Sequence, residues 1–292
     1  MKVLIFGAAG MLGHKLMQHF GKRFDTYGTL RRRFDTVERF GIFDRTKIIE
    51  NVDVIDQASA ERAISEIRPE VVINAIGIVK QVSSAKDVIT TLEINSIFPH
   101  RLAQLSVVHG FRLICISTDC VFNGENGGRM ETEVPDAADL YGRSKIIGEI
   151  TDENCLTIRS SIIGRQLTTS HGFIEWFLSN RGQTVNGYAS AIYSGFPTVV
   201  FADIIANLIA NHKELSGLFH ISSTPINKFE LLELVNKYYG AGITLAPSDE
   251  PKIDRSLDGR KFSEATGFSP QPWPEMVKLM AEDATPYNDF RQ

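Results

Sequence analysis

The stretch KVLIFGAAGMLGHKLMQHF (residues 2–20) joins a short apolar run to a glycine-rich turn and then to an amphipathic segment. The run at 2–6 is typical of a buried strand, and the segment at 11–20 is typical of a helix. Glycines at GxxGxxG spacing in such a unit allow a tight turn and a close approach of the backbone to a pyrophosphate. The stretch therefore predicts a dinucleotide-binding turn, with the phosphates at the N-terminus of the helix. The turn residues assigned to the cofactor are Gly7, Gly10, Met11, Leu12 and Gly13.

From this unit outward, short apolar runs alternate with longer amphipathic segments. The predicted strands are 2–6, 24–30, 49–55, 70–77, 112–118 and 155–161. The predicted helices are 11–20, 59–67, 84–109 with an irregularity at Pro99, and one that begins near 140. Strict alternation with unbroken apolar strands indicates a parallel sheet covered on both faces. The predicted fold class is α/β, a doubly wound parallel Rossmann sheet with a smaller C-terminal α/β substrate lobe.

The alternation loosens in the C-terminal part of the chain. The elements predicted there are helices at 172–180, 200–212 and 227–239 and a strand at 217–221. We interpret residues 1–163 as an NAD(P)-binding Rossmann domain, to which a segment at about 194–222 returns. Residues 164–193 and 223–292 are then a substrate-binding lobe, and the cleft between the two parts is the expected place for a substrate.

The composition is that of an ordinary soluble protein: of 292 residues, 43% are hydrophobic and 23% are charged, and the net charge is −4. A nucleic-acid-binding protein normally has a strong basic excess, so this class is disfavoured. No apolar run reaches the length of a membrane span. The cysteines lack CxxC spacing and the histidines lack HxxxH or HExxH spacing, which indicates reduced thiols and no metal site. We therefore expect a cytoplasmic protein that binds neither a metal, a membrane nor a nucleic acid.

The end of the second strand indicates which dinucleotide is bound. LRRRF (30–34) follows it, and no acidic residue stands between Thr26 and Phe34 to bond the ribose 2′-hydroxyl of NAD. Guanidinium groups suit phosphate oxygens, so Arg31 and Arg32 favour NADP(H), with NAD(H) as the second choice. The alternative is a solvated basic turn. Residues at the ends of the next two strands are also expected along the cofactor: Asp53, Val54, Ala75, Ile76 and Gly77.

The stretch YGRSK (141–145) places a tyrosine and a lysine one helical turn apart. A phenol has a pKa near about 10, and a neighbouring cation eases the loss of its proton. STDC (117–120) ends the fifth strand at the ligand edge of the sheet, so the Thr118 hydroxyl is expected beside the same reacting carbonyl. Tyr141, Lys145 and Thr118 are therefore predicted as the catalytic group of a ketone reductase. The alternative is a surface pair of no consequence.

These segments resemble the extended short-chain dehydrogenase/reductase family, and within it the dTDP-4-dehydrorhamnose reductase branch. The resemblance runs nearly end to end. It is carried by GAAGMLG (7–13), STDCVFNG (117–124), YGRSK (141–145), IRSSIIG (158–164), SGFPTVVFADIIANLI (194–209), GLFHIS (217–222) and DRSLDGRKF (254–262). It implies that Tyr141 is the proton donor, that Lys145 binds the nicotinamide ribose and lowers the tyrosine pKa, and that Thr118 polarises the ketone. It also implies that Asn95, with Tyr141 and Lys145, lies against the cofactor.

The chain departs from that branch where the sugar is expected to bind. Cys120 stands where the branch usually has a tyrosine, and Ile162 stands near a usual tryptophan. The positions assigned to the substrate are Thr118, Asp119, Cys120 and Ile162. The resemblance implies NADPH-dependent reduction of the C4 ketone of a nucleotide-linked 4-keto-6-deoxyhexose, for a surface polysaccharide sugar, by a monomer or homodimer. The departures leave the sugar open between dTDP-linked and UDP-linked compounds.

Two other interpretations stay open. A nucleotide-sugar 4,6-dehydratase or 4-epimerase shares the scaffold, but dehydration needs a second carboxylate where Cys120 follows Asp119. An epimerase keeps NAD tightly bound, which disagrees with the arginine-rich second strand. A non-catalytic NADP-binding regulatory subunit is the third class of function, and it has no use for a proton donor.

Overall fold

The computed structural model of the protein describes residues 1–79, 87–167 and 172–291. The strands among them are β1 (Lys2–Phe6), β2 (Asp25–Thr29), β3 (Ile48–Ile49), β4 (Val71–Asn74), β5 (Arg112–Thr118), β6 (Cys155–Ser160), β7 (Ile162–Ile163), β8 (Thr184–Tyr188), β9 (Ala191–Tyr193), β10 (Phe196–Pro197), β11 (Gly217–His220), β12 (Ile226–Asn227), β13 (Thr244–Ser248) and β14 (Ile253–Asp254). Seven of them form one parallel sheet in the order β11-β6-β5-β4-β1-β2-β3. This is the doubly wound arrangement that the alternation predicts, and its switch point lies between β1 and β4.

Some of the helices that connect these strands begin at a side-chain cap. In the described ranges they are α1 (Gly13–Phe20), α2 (Asp35–Glu38), α3 (Gln57–Ile67), α4 (Val88–Leu92), a π-helical segment (Glu93–Ile97), α5 (Phe98–His109), α6 (Leu140–Ile147), α7 (Phe173–Leu178), α8 (Thr198–Asn211), α9 (Lys228–Tyr239), α10 (Arg260–Thr266) and α11 (Trp273–Ala281). Short 3-10 turns occur at Arg45–Lys47, Asp119–Val121 and Asp289–Arg291. Before α6, the carboxylate of Asp139 accepts from Gly142 N–H at 2.9 Å. This cap fixes where the helix that carries Tyr141 begins.

Helices cover both faces of the large sheet and form two apolar cores. On one face, α1 and α8 contribute Leu16, Phe201 and Ile205. On the other face, α3 and α5 contribute Ile64 and Leu102. All five side chains are fully buried. Because apolar side chains are needed on both faces, the strands appear in the sequence as continuous apolar runs instead of alternating ones.

The prediction of a strand over 49–55 is wrong for most of its length. The third strand of the sheet is only Ile48–Ile49. Asn51 has a φ of +60°, in the left-handed region, and it turns the chain out of the strand direction. Val52 and Val54 are nevertheless buried, since they pack into the core on the α3 side. A buried loop therefore produced the same apolar pattern as a strand.

The long helix predicted over 84–109 is interrupted close to Pro99. It consists of α4, the π-helical segment and α5, and residues 80–86 lie outside the described part. Pro99 has no N–H, so it cannot make the bond that a regular α-helix would form to the carbonyl of Asn95. The wider turn buries Asn95 and Ser96 against α6. Such π-helical turns are frequent at functional sites.

The C-terminal part builds small sheets beside the large one. β7 pairs with β10, β9 pairs with β12 and β14, and β8 pairs with β13. The predicted return of the segment 194–222 to the large sheet is seen in β11, which pairs with β6 at its edge. The division of the chain into two domains stays a prediction. Of the helices in the described ranges, none is long and apolar enough to cross a bilayer.

A buried polar cluster ties the segment 283–290 to α1. Lys15 is 1% exposed and forms a salt bridge with Asp283. His14 Nδ1 lies 2.8 Å from the carbonyl oxygen of Gly10, which can only accept, so this nitrogen is the donor. The Tyr287 hydroxyl lies 2.7 Å from Nε2 of the neutral ring and 3.0 Å from Oδ2 of Asp283, and its single hydrogen is shared between these two acceptors. The end of the chain is thereby fixed beside the glycine-rich turn.

Acidification below about pH 6.5 is expected to destabilise the fold through two buried histidines. Burial and the charge of Lys15 lower the pKa of His14 to about 4. Burial and the charge of Arg159 lower the pKa of His220 to about 4. In the unfolded chain both rings titrate near about 6.5, so the unfolded state binds more protons between these values and stability falls as the pH drops through the window. The expected loss is at most about 3 kcal/mol for each histidine.

Urea unfolding at several pH values from neutral down to about pH 4 measures this loss. His14→Gln and His220→Gln are each expected to make the free energy of unfolding depend less steeply on pH. The matched control is His109→Gln, at an exposed position, which is expected to leave the wild-type dependence intact. If His220→Gln kept the full acid sensitivity of the wild type, the assignment to His220 would be wrong.

Candidate active site

The glycine-rich turn begins where β1 ends and closes at the first residue of α1. Gly7 has a φ of +92°, and its N–H donates to Thr29 Oγ1 at 3.3 Å. A Cβ on Gly13 would overlap the carbonyl oxygen of Gly7, and one on Gly7 would lie 2.8 Å from Ile76 Cγ1. Both positions therefore require glycine, Gly7 for its backbone conformation and Gly13 for direct packing of the helix on the turn.

A cavity of about 310 Å³ opens beside this turn, at the carboxyl ends of β1, β2 and β4. Eight of the residues predicted for the cofactor line it: Gly7, Gly10, Arg31, Asp53, Val54, Ala75, Ile76 and Gly77. Six lining residues were not singled out from the sequence: Ala9, Thr29, Leu30, Val52, Ile78 and Ile94. Most of these six are neighbours in the sequence of residues that were predicted for the cofactor. That adjacency could have identified them. The cavity lies at the switch point, where doubly wound sheets bind their ligands.

The other residues predicted for the cofactor lie outside this lining. They are Met11, Leu12, Gly13, Arg32, Asn95, Tyr141 and Lys145. Leu12 is buried at the start of α1, and Met11 is half-buried. The side chain of Arg32 is exposed next to the cavity. Their contacts with a cofactor stay predictions.

Arg31 and Asp53 form an ion pair at the edge of the cavity. Nε of Arg31 lies 3.2 Å from Oδ2 of Asp53, and the side chains are 68% and 40% exposed. An ion pair as exposed as this contributes at most about 1 kcal/mol. A phosphate or a ribose hydroxyl can therefore compete with it for either side chain.

The end of β5 brings two of the predicted catalytic side chains together. Thr118 is the last residue of β5, and a 3-10 turn follows it. Its hydroxyl accepts from Cys120 N–H at 3.1 Å and donates to Asp119 Oδ1 at 3.0 Å. It also shares a hydrogen bond with the phenol of Tyr141, which α6 carries to the same place. Hydroxyl and phenol are thus in contact at the ligand edge of the sheet.

Tyr141 keeps its proton at neutral pH. Burial raises the pKa of the phenol, and the neighbouring groups of Cys120 and Asp119 add to this rise. The hydrogen bond with Thr118 opposes it. A phenol that is protonated at neutral pH has the state that a proton donor needs.

Lys145 follows Tyr141 by one helical turn and is 8% exposed. Its Nζ donates to the carbonyl oxygen of Ile116 on β5 at 2.8 Å. Burial lowers the pKa of Lys145, and the neighbouring Cys115 and Glu149 oppose this. The contact with the sheet fixes the ammonium beside the site. Its binding of a ribose and its effect on the Tyr141 pKa stay predictions.

Asn95 connects the helix of Tyr141 to the loop after β4. It is 1% exposed, and its Oδ1 accepts from Ile78 N–H at 2.8 Å. Its Nδ2 donates to Ile78 O at 3.0 Å and to Ser144 Oγ at 3.1 Å. A Cβ on Gly148 would overlap the carbonyl oxygen of Asn95, so α6 packs directly on the π-helical segment. Asn95 therefore holds α6 at a fixed distance from the cavity.

Two cations reach the same edge from the C-terminal part of the chain, and neither was assigned from the sequence. Lys228 is the first residue of α9, and Arg255 follows β14. Both interact electrostatically with Asp119. Arg255 Nε donates to the carbonyl oxygen of Phe122 at 2.9 Å. Across 1–79, 87–167 and 172–291, neither cation has a carboxylate within 4.0 Å, so their charge is available to an anion.

Two stacked aromatic rings of α7 lie next to Lys228. Nζ of Lys228 is 5.5 Å from the ring centroid of Phe173, which is stacked on Trp176 at 6.1 Å and an interplanar angle of 25°. Both rings are half-buried. Of the residues predicted for the substrate, Cys120 and Ile162 are also half-buried, and Ile162 opens β7. Thr118 and Asp119 are buried.

Comparison with known proteins identifies the family. The model of the RmlD substrate binding domain matches residues 1–285. The chain belongs to the RmlD substrate binding domain family. This membership confirms the resemblance that the sequence motifs indicate.

Relatives of this RmlD-family chain match it along nearly its whole length. The spore coat polysaccharide biosynthesis protein SpsK of Bacillus subtilis is 24% identical over 295 residues, with 95% of each chain covered. The dTDP-4-dehydrorhamnose reductase of Aggregatibacter actinomycetemcomitans is 24% identical over 314 residues, which cover 95% of this chain and 97% of the relative. The solved structure of dTDP-4-dehydrorhamnose reductase from Bacillus anthracis in complex with NADP has a TM-score of 0.77 at 22% identity. It covers 96% of this chain and 98% of its own, which confirms the α/β fold.

The site of this RmlD-family chain is suited to proton transfer. A protonated phenol and a hydroxyl touch each other at the end of β5, at the same edge of the sheet as the cavity. A group that holds a proton in such a place can transfer it to an oxygen that gains charge next to a bound dinucleotide. The cations and aromatic rings opposite can hold an anionic, partly aromatic substrate.

Proposed function

We propose that the protein reduces the C4 ketone of a nucleotide-linked 4-keto-6-deoxyhexose with NADPH, for the synthesis of a surface polysaccharide sugar. The proposal rests on the contact between Tyr141 and Thr118 at the edge of the sheet that also forms the cavity. The two relatives support it, since one is a dTDP-4-dehydrorhamnose reductase and the other a spore coat polysaccharide biosynthesis protein.

Each side chain at the end of β5 has a separate role in this reaction. Tyr141 donates its proton to the ketone oxygen, and Thr118 holds that oxygen in place. Lys145, fixed by its bond to Ile116, stabilises the phenolate that remains on Tyr141. NADPH, when bound in the groove, supplies the hydride.

Arg31 and Arg32 are proposed to bind the 2′-phosphate that distinguishes NADPH from NADH. Both lie at the end of β2, beside the cavity, and Arg31 has only an exposed ion pair to give up. Removing both with Arg31→Ala and Arg32→Ala is expected to raise the Kd for NADPH by about 10–100-fold, as for lost hydrogen bonds to a charged group. The Kd for NADH is expected to change little. Fluorescence titration with the two cofactors measures both constants.

Arg33→Ala is the matched control for this experiment. Arg33 is the next residue, 75% exposed, and its Nε lies 3.6 Å from the carboxylate of Asp35. It is expected to leave both constants unchanged. Equal weakening of NADPH and NADH by the double substitution would show that the arginines act on the fold or on the shared part of the cofactor.

Lys228 and Arg255 are proposed to bind the diphosphate of the nucleotide sugar, and Phe173 and Trp176 its base. Guanidinium and ammonium groups without a carboxylate partner suit phosphate oxygens, and stacked rings suit the face of a base. Lys228→Met keeps the aliphatic stem but removes the charge. It is expected to raise the KM for the nucleotide sugar by about 10–100-fold while the Kd for NADPH stays constant.

Lys237→Met, at an exposed position of the same helix, is the control for Lys228→Met. It is expected to behave as the wild type. A wild-type KM for the sugar in Lys228→Met would place the diphosphate elsewhere in the cleft.

The reaction itself is tested by the decrease in NADPH absorbance with a panel of dTDP-linked and UDP-linked 4-keto-6-deoxy sugars. Oxidation of NADPH by one of them supports the proposal and names the sugar. If NADPH binds tightly and no sugar reacts, the regulatory-subunit interpretation takes its place. Nucleotide sugars that interconvert without net oxidation of NADPH would support the epimerase instead.

The cellular compartment and the oligomeric state of the enzyme belong to the same proposal. None of Cys115, Cys120 and Cys155 forms a disulfide, which suits a reducing compartment. We therefore propose a cytoplasmic enzyme that acts as a monomer or homodimer. Size-exclusion chromatography with light scattering distinguishes the two assemblies.

A further inference from the structure

A buried carboxyl group lies directly behind the hydroxyl of Thr118. Asp119 is 7% exposed, and its Oδ1 accepts from Thr118 Oγ1 at 3.0 Å. Thr118 in turn shares a hydrogen bond with Tyr141. Phenol, hydroxyl and carboxyl therefore form a continuous chain of three groups, each of which can give and accept a proton.

We propose that Asp119 returns a proton to Tyr141 after each turnover, through the hydroxyl of Thr118. This inference rests on the proposed reduction, in which Tyr141 gives its O–H proton to the ketone oxygen and becomes a phenolate. The acid form of Asp119 then gives its proton to Thr118 Oγ1 while Thr118 gives its own to the phenolate oxygen. Phenol and hydroxyl are restored, and Asp119 is left as a carboxylate that takes a proton from water after the product leaves.

The hydrogen-bonding capacity of Thr118 allows this exchange. Its hydroxyl has one hydrogen and two lone pairs, and one lone pair accepts Cys120 N–H at 3.1 Å. When Asp119 is ionised, Thr118 accepts from Tyr141 and donates to the carboxylate. When Tyr141 is ionised, Thr118 accepts from the acid and donates to the phenolate. Both arrangements use the same contacts, so protons move while the heavy atoms stay in place.

The surroundings of Asp119 favour the protonated form of its carboxyl more than solvent does. Burial raises the pKa of its carboxyl, and the hydrogen bond with Thr118 and the charge of Arg255 oppose this rise. The other groups that face it are Lys228, Cys120, Tyr141, Tyr193 and Ser161. A diphosphate on the two cations would screen their charge from the carboxylate and so favour the protonated acid while the sugar is bound.

Rapid mixing of NADPH-loaded Asp119→Asn with an accepted nucleotide sugar tests the relay. Asparagine keeps the shape and the acceptor for Thr118 but holds no transferable proton. The first turnover uses the proton already on Tyr141 and is expected within about two-fold of the wild-type rate, whereas later turnovers are expected to be slower by about 100-fold or more. Absorbance should therefore fall in a burst of one NADPH per site.

Asp152→Asn, at an exposed position, is the matched control and is expected to show wild-type kinetics. A first turnover of Asp119→Asn slowed as much as the later ones would overturn the relay, because it would show a structural role only. A steady-state rate equal to that of the wild type would overturn it as well.

Infrared difference spectroscopy on the resting protein makes the test independent of the sugar. The C=O stretch of protonated Asp119, identified by its loss in Asp119→Asn, is expected to titrate above the usual pKa of about 3.9. In Thr118→Val the pKa is expected to rise further, because the carboxylate loses a hydrogen bond. If Asp119→Asn does not fold, the difference between the wild type and Thr118→Val identifies the band. If the pKa of Asp119 is the same in Thr118→Val as in the wild type, the hydrogen-bonded connection between Asp119 and Tyr141 through Thr118 is overturned. If the wild type reduces no sugar, the proposed reduction is refuted, but the hydrogen-bonded connection is not.

Discussion

Tyr141→Phe is expected to lower kcat for NADPH oxidation by about 10²–10⁴-fold with a reactive nucleotide sugar, the usual contribution of a positioned general acid. The side chain of Tyr141 is half-buried, the pKa of its phenol is raised, and the phenol shares a hydrogen bond with Thr118. Phenylalanine keeps the ring, so the packing of α6 against the π-helical segment is expected to survive. Because the groove is lined by other residues, the Kd for NADPH is expected to change little. Stopped-flow absorbance for kcat and fluorescence titration for Kd measure the two effects.

Tyr238→Phe is the matched control for the loss of a phenolic oxygen. Tyr238 is half-buried near the end of α9, away from β5. Its variant is expected to have wild-type kcat and Kd. A kcat of Tyr141→Phe within a few-fold of the wild type would mean that another group protonates the ketone.

Asp283→Ala is expected to lower the free energy of unfolding by about 3–5 kcal/mol, the usual cost of leaving a buried charge without its partner. The partner is Lys15, which is 1% exposed and also donates to Gln18 Oε1 at 2.6 Å and Thr285 Oγ1 at 2.7 Å. Burial raises the pKa of Asp283, but the hydrogen bond and charge of Lys15 outweigh it and the net shift is downward. The pair therefore contributes above about pH 4 and its contribution is lost as the pH falls through the lowered pKa of Asp283. Urea unfolding monitored by circular dichroism measures the change.

Two further variants separate the cost of the unpaired charge from the value of the pair. Lys15→Met combined with Asp283→Leu removes both charges and is expected to recover most of the lost stability. Glu282→Ala breaks an exposed pair with Lys278, where both side chains are more than half exposed, and is expected to cost less than about 1 kcal/mol. If Asp283→Ala lowered the free energy of unfolding no more than Glu282→Ala, then Lys15 would have to bind another partner or lose its charge in the variant.

The sequence predicted best what local patterns determine. The strand 112–118 agrees residue for residue, and the strand of the unit at 2–20 lies inside the sheet, between β4 and β2. Both are continuous in the chain, and their periodicity reflects burial on one face or two. The juxtaposition of Thr118 and Tyr141 also followed from local rules, because the ends of parallel strands and the starts of the next helices share one edge.

Contacts between distant parts of the chain were not predictable in the same way. Lys228 reaches Asp119 from more than a hundred residues away, and nothing around it in the sequence indicates this. Arg255 lies in the stretch DRSLDGRKF (254–262), but this stretch alone does not indicate that its charge acts on Asp119. The buried partnership of Lys15 with Asp283 is longer still in sequence, and charged residues are normally expected on the surface. The strand predicted over 49–55 failed for a local reason, the left-handed backbone of Asn51.

Isotopic labelling shows whether hydride is transferred to the C4 carbon of the sugar, as the proposed reduction requires. The protein would be incubated with a 4-keto-6-deoxy nucleotide sugar and with NADPH deuterated at the transferable position, and the product would be examined by NMR. The proposed reduction places one deuterium at C4 of the sugar for each NADP⁺ formed, and labelled product is expected to form about 10²–10⁴-fold more slowly with Tyr141→Phe. An isomerised sugar without label, or an unchanged sugar beside tightly bound NADPH, would contradict it.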